Sequence, residues 1–92
     1  MQHFLGVDIG ASTVKLGLID ADGAIVGSRH DYDSEASGGP QATMRVIADA
    51  LPRLLDENGI SDAPPIAVGA CSPTPVSADG LCVYPTNIDA SW

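Results

Sequence analysis

Positive charge is scarce in this sequence. Lys15, Arg29, Arg45 and Arg53 stand against twelve acidic residues, for a formal net charge of −8. Binding DNA or RNA requires a clustered cationic surface that displaces counterions from phosphates. Four scattered bases do not make one, so no nucleic-acid partner is expected. Long apolar runs are missing as well. No stretch of about 20 apolar residues is available to cross a bilayer. Residues 1–5 carry no positively charged leader, and Asp8 interrupts the first apolar stretch. These absences point to a cytoplasmic protein with no membrane partner. Cysteine is limited to Cys71 and Cys82, without CxxC spacing. Two buried thiols are therefore expected, with neither a disulfide nor a zinc site. Aromatic residues make up only 4% of the chain, so its core must rest on Val, Ile, Leu and Ala. With 45% apolar residues the composition is still globular, and 92 residues allow at most one small domain.

The pattern along the chain predicts an α/β fold. Residues 3–9 read as a strand, because Phe4, Leu5, Val7 and Ile9 form a nearly continuous apolar run, as in strands covered on both faces. A small-residue turn follows at Gly10-Ala11-Ser12. In 13–19, Val14, Leu16 and Leu18 alternate with Thr13, Lys15 and Gly17, which gives a second strand. Asp22-Gly23 is a hairpin turn signal, and 24–30 reads as a third strand. The three form an antiparallel meander. Residues 31–39 read as a polar loop. A helix is expected over 41–56, with Pro40 at its first turn and Asn58-Gly59 as its stop. Pro52 inside it should kink the helix or start a second one. Residues 66–70 form a short apolar run, read as a buried strand parallel to the sheet. Extended pieces at 74–77 and 81–84 flank the turn Ala78-Asp79-Gly80. One helix covers only one face of such a sheet, so the domain is expected to be incomplete within residues 1–92.

Chemistry concentrates at Asp8-Ile9-Gly10-Ala11-Ser12-Thr13-Val14-Lys15, on the first hairpin. A carboxylate ends one strand, two hydroxyls follow the turn, and a lysine lies on the returning strand. Turn N–H groups and hydroxyls can hold phosphate oxygens. Asp8 can hold Mg²⁺ or its waters, and Lys15 supplies a point charge. The same residue types also serve simply to stabilise turns. The order is neither GxxxxGK[ST] nor GxGxxG. A second polar cluster closes the chain: Asn87-Ile88-Asp89-Ala90-Ser91-Trp92 carries an amide, a carboxylate and a hydroxyl, groups suited to sugar hydroxyls or to an ordinary polar loop.

Gly6-Val7-Asp8-Ile9-Gly10, its continuation to Lys15 and the tail from Asn87 to Trp92 together resemble the start of a ROK-family sugar kinase. The tail is most similar to that of the polyphosphate glucokinase branch. The resemblance implies the amino-terminal part of an actin-like (ribonuclease H-like) ATPase domain. It also implies phosphoryl transfer from polyphosphate or ATP to the 6-hydroxyl of glucose or a related hexose, with Mg²⁺. Asp8, Gly10, Ala11, Ser12, Thr13 and Lys15 fall on the phosphate motif, with Asp8 toward the metal, and Thr74, Asn87 and Asp89 fall toward the sugar. The family's catalytic base would lie beyond Trp92, so this segment is expected to be inactive alone; the resemblance also implies a homodimeric parent. A non-catalytic sugar-sensing relative and another actin-like small-molecule kinase are the alternatives. Ala11 replaces the second glycine of the family's Asp-Ile-Gly-Gly, at a cost on the order of 1 kcal/mol if that position is left-handed. Thr74 replaces the glycine of a Pro-Gly step beside the sugar.

Overall fold

The computed structural model describes residues 2–83, 88, 91 and 92. Strands β1 (His3–Ile9), β2 (Thr13–Asp20) and β3 (Ile25–Asp33) precede a turn of 3₁₀ helix at Ala36–Gly38. Helix α1 (Pro40–Glu57) and strand β4 (Val68–Cys71) follow. The sheet order is β3-β2-β1-β4, with β4 parallel to β1 and the other pairs antiparallel. Strand side chains alternate between faces. His3, Leu5, Val7 and Ile9 of β1 therefore share a face with Val14, Leu16 and Leu18 of β2, and all seven are buried. Ala50, Leu54 and Leu55 of α1 complete that core. Each Leu or Val buried there contributes about 1.5–3 kcal/mol. His3 is the exception, since it is buried with both ring nitrogens unpartnered. A buried polar atom without a partner costs about 1–3 kcal/mol.

Helix α1 runs unbroken through Pro52, so the expected second helix does not form. Proline removes the bond to the carbonyl four residues back, that of Ala48. Both Pro52 and Ala48 are exposed, so water can serve that carbonyl. The helix stops where its sequence says it should. Gly59 is left-handed (φ 71°), its N–H donates to the Asp56 carbonyl, and the Ile60 N–H reaches back to Leu55. That pair of bonds is a Schellman motif, and Ile60 at its end packs against the core. No helix among the described residues is long and apolar enough to cross a membrane.

Two expectations about strands need correction. First, β3 continues to Asp33, through residues read as loop. A bulge separates its pairings: Leu18 faces Val26, whereas Leu16 faces His30. Gly27 turns this bulge at φ 73°, and a Cβ there would collide with the Asn58 side-chain amide, which itself caps Leu54 O at 2.8 Å. Because β3 is an edge strand, the polar run Asp31–Asp33 can pair with β2 without burial. His30 ties this strand to the helix end through Glu57 at 3.0 Å. Second, β4 is exposed along its whole length rather than buried. Its helix-side residues Val68 and Ala70 lie in register with Leu5 and Val7, but α1 packs over β2 and β3 and leaves β4 uncovered. The uncovered face also means that β1 alternates, instead of being buried on both sides.

Gly23 and Gly27 separate two costs. Gly23 is left-handed with open space around it, so Gly23→Ala is expected to lose only the backbone penalty of about 1–2 kcal/mol. Gly27→Ala is expected to lose more, because Asn58 must leave its cap on Leu54. Urea denaturation of both variants checks this; equal losses would show that the bulge does not press on the helix end.

Candidate phosphate site

The hairpin between β1 and β2 closes through the Gly10 N–H donating to Thr13 O at 2.9 Å. A Cβ at Gly10 would lie 2.8 Å from that oxygen, so the position requires glycine for space. Ala11 is different. Among the described residues Glu35 is the only non-glycine with positive φ, so the penalty anticipated for alanine at position 11 does not arise. The turn is held from its inner side by Ser34, a buried residue. The Ser34 N–H donates to Ser12 O at 3.0 Å, and its Oγ donates to Ala11 O at 3.0 Å. Thr43 of α1 in turn donates its Oγ1 hydrogen to Ser34 O at 2.6 Å. The turn's carbonyls are thus directed inward and satisfied. Among the described residues, the N–H groups of Ala11 and Ser12 and the hydroxyls of Ser12 and Thr13 have no partner in the chain.

Asp8 and Lys15 are direct cross-strand partners, on the face that α1 does not cover. Cys71 of β4 extends the same row on the other side of Asp8 and donates Sγ–H to Asp8 Oδ1 at 3.3 Å. Neither thiol is buried as expected: Cys71 is exposed because β4 is uncovered, and Cys82 is half-buried. No ion pair joins Asp8 to Lys15. The next row, Gly17–Gly6–Gly69, is bare backbone. Above it lies a shallow depression of about 520 Å³, bounded by Asp8, Lys15, Cys71, Ile19, Ile25 and Arg29. Arg29 is engaged with Asp31 at 3.4 Å. Among the described residues no three His, Cys, Asp or Glu side chains converge on a metal position. A single open carboxylate such as that of Asp8 fits Mg²⁺, which takes one or two protein carboxylates and fills its shell with water and phosphate oxygens.

Thr74 is not brought to this face. It is buried, and its hydroxyl lies 3.4 Å from that of Ser72. Asn87 and Asp89 lie outside the described residues. Ile88 joins the core, and the Trp92 indole N–H donates to Ala36 O at 3.0 Å, which pins Trp92 beside the 3₁₀ turn. The turn at Ala78-Asp79-Gly80 closes a minimal hairpin through a bridge between Val76 and Cys82. There the Ser77 hydroxyl bonds Asp79 and holds its carboxyl below the usual range. A second hollow, of about 410 Å³, opens between Ile9, the first turn of α1, Ser72 and Trp92. Ser34 and Cys71 are the positioning groups that sequence reasoning missed. Ser34 lies in a polar segment with no distinguishing signal, and the Cys71–Asp8 contact depends on a parallel pairing 63 residues apart.

The hydrogen bond to Asp8, aided by desolvation and by the Asp8 charge, pushes the Cys71 thiol above its ordinary pKa, against an opposing bond from the Ile9 backbone. Thiolate is the reactive form. Alkylation of Cys71 should therefore begin at higher pH than for a free thiol, and Asp8→Asn should move the profile back down; an unmoved profile would count against the contact. Ala11→Gly is expected to destabilise by about 0.4–1 kcal/mol, since it frees the unfolded chain without relieving any strain. A stabilised variant would show that Ala11 is strained after all.

No family model matches the sequence, and no curated protein matches it. Solved structures do. The inorganic polyphosphate/ATP-glucomannokinase from Arthrobacter sp. strain KM superposes with a TM-score of 0.76 at 24% identity, over 100% of this chain and 36% of that one. A ROK family glucokinase from Streptomyces griseus, solved in complex with glucose and AMPPNP, gives a TM-score of 0.70 at 24% identity, over 95% of this chain and 26% of that one. The chain thus spans about a third or less of the length of these structures, and it shares the fold of that part of each.

Proposed function

We propose that this chain is the phosphate-binding amino-terminal segment of a ROK-family sugar kinase of the polyphosphate glucokinase branch. The observation that carries the reading is the set of unspent groups on the first hairpin: two turn N–H groups, two hydroxyls and the Lys15 ammonium, next to the Asp8 carboxylate. A polyphosphate or nucleotide tail offers the matching acceptors. The Ala11 and Ser12 N–H groups and the Ser12 and Thr13 hydroxyls orient its oxygens, and Lys15 offsets their charge. Bound Mg²⁺, with Asp8 among its ligands or its water partners, would supply further neutralisation of the transferring group. Catalysis of this kind is mainly positioning and charge stabilisation. The acceptor is the 6-hydroxyl of glucose or a related hexose, with Asn87 and Asp89 toward the sugar. No residue of this chain is assigned as the base, so residues 1–92 alone are inactive, and the active enzyme is a cytoplasmic homodimer.

Calorimetric titration of the chain with inorganic tripolyphosphate tests the reading. Lys15→Ala should weaken binding by at least about tenfold, as expected for a hydrogen bond to a charged group. Mg²⁺ should strengthen binding to the wild type and leave Asp8→Ala unaffected. If the wild-type chain does not bind tripolyphosphate, or binds it equally well without Lys15, the assignment fails.

A further inference from the structure

Antiparallel neighbours of opposite charge ordinarily pair, and Asp8 and Lys15 are such neighbours on an open face. They do not pair here. The carboxylate instead accepts the Cys71 thiol hydrogen from the strand on its other side. Asp8 has one such neighbour on each flank, so its carboxylate has two competing directions.

We infer that Cys71 is a positioning residue that holds the Asp8 carboxylate toward β4 and so keeps the Lys15 ammonium unpaired. The sulfur is suited to this, because a thiol is a weak donor. It selects the carboxylate's direction without binding it strongly, so a metal or its waters can still claim the free oxygen. Serine or threonine at this point would hold Asp8 more strongly, whereas alanine or valine would release it to Lys15. A salt bridge formed in that way would remove both charges from use by a phosphate ligand. The consequence for phosphate rests on the function proposed above; the contact geometry does not.

Lys15 is the only lysine in the chain, which gives a clean readout. Trace acetylation with acetic anhydride at fixed pH, followed by peptide mass spectrometry, reports how available its amine is. Cys71→Ala should slow acetylation of Lys15 by about 1.5- to fivefold, the range set by an opposite-charge cross-strand pair. Cys71→Ser should restore the wild-type rate. In an Asp8→Asn background Cys71→Ala should change nothing, because no carboxylate remains to capture the amine. Capping the folded thiol as a methyl disulfide in a Cys82→Ser chain removes the donor without relying on a variant to fold, and it should slow Lys15 similarly. Unchanged rates after both donor removals, or equal slowing with and without Asp8, would overturn the inference. Tripolyphosphate titration of the same variants separates the two claims. If acetylation behaves as expected and tripolyphosphate does not bind, the positioning role stands and the phosphate reading falls. If tripolyphosphate binds and acetylation is indifferent to Cys71, the positioning role falls alone.

Discussion

The register of β1 against β2 is a matter of burial before it is a matter of chemistry. In the observed register Leu5, Val7 and Ile9 reach the core together with Val14, Leu16 and Leu18, and Asp8 stands opposite Lys15 on the other face. A slip of one residue would send one of these apolar rows to solvent. At about 1.5–3 kcal/mol for each side chain, that outweighs anything the polar face could gain from a different pairing. The core thus dictates the face on which the two charged groups stand, and the short turn closed by Gly10 and Thr13 sets them opposite each other. The same logic explains why Lys15 and Asp8 can remain unpaired.

A second layer of order comes from Ser34 and Thr43. The helix reaches the turn through two side chains, and each hydrogen bond in that chain lies wholly or partly within the protein. Buried polar contacts of this type matter less for their net energy, about 0.5–1.5 kcal/mol each, than for what their loss would leave unsatisfied. They fix which side of the peptide plane faces outward. Donors on the outside and acceptors on the inside are what distinguish an anion-receptive turn from an ordinary one.

Much of this was legible in the sequence. The bounds of β1 follow from its apolar run, and the end of α1 follows from Asn58-Gly59, because local periodicity and local backbone preference decide both. The bulge at Gly27 was not legible, since it trades strand pairing for a contact with Asn58 on a distant element. Nor was the exposure of β4, whose apolar composition describes a strand meant for cover and not the reach of α1. At the site, the sequence put Asp8 at the end of one strand and Lys15 on the returning strand, whereas their direct pairing is a matter of register that the structure supplies. Cys71 entered through a parallel pairing, which no local pattern encodes. Thr74 was assigned from its place in a motif, whereas its burial against Ser72 depends on how the following loop folds.

The glycine row across β2, β1 and β4 brings no side chains of its own to one side of the sheet, where only Ile19 reaches over Gly6. Glycine within strands costs about 0.5–1 kcal/mol relative to alanine, through the freedom it gives the unfolded chain. That part of the sheet is therefore less stabilised than an alanine row would be, and it lies one row from Asp8 and Lys15. Anything that settles on the bare peptide planes stiffens them by mass action. Rigidity of the charged row is then a property that this sheet shares with whatever rests beside it.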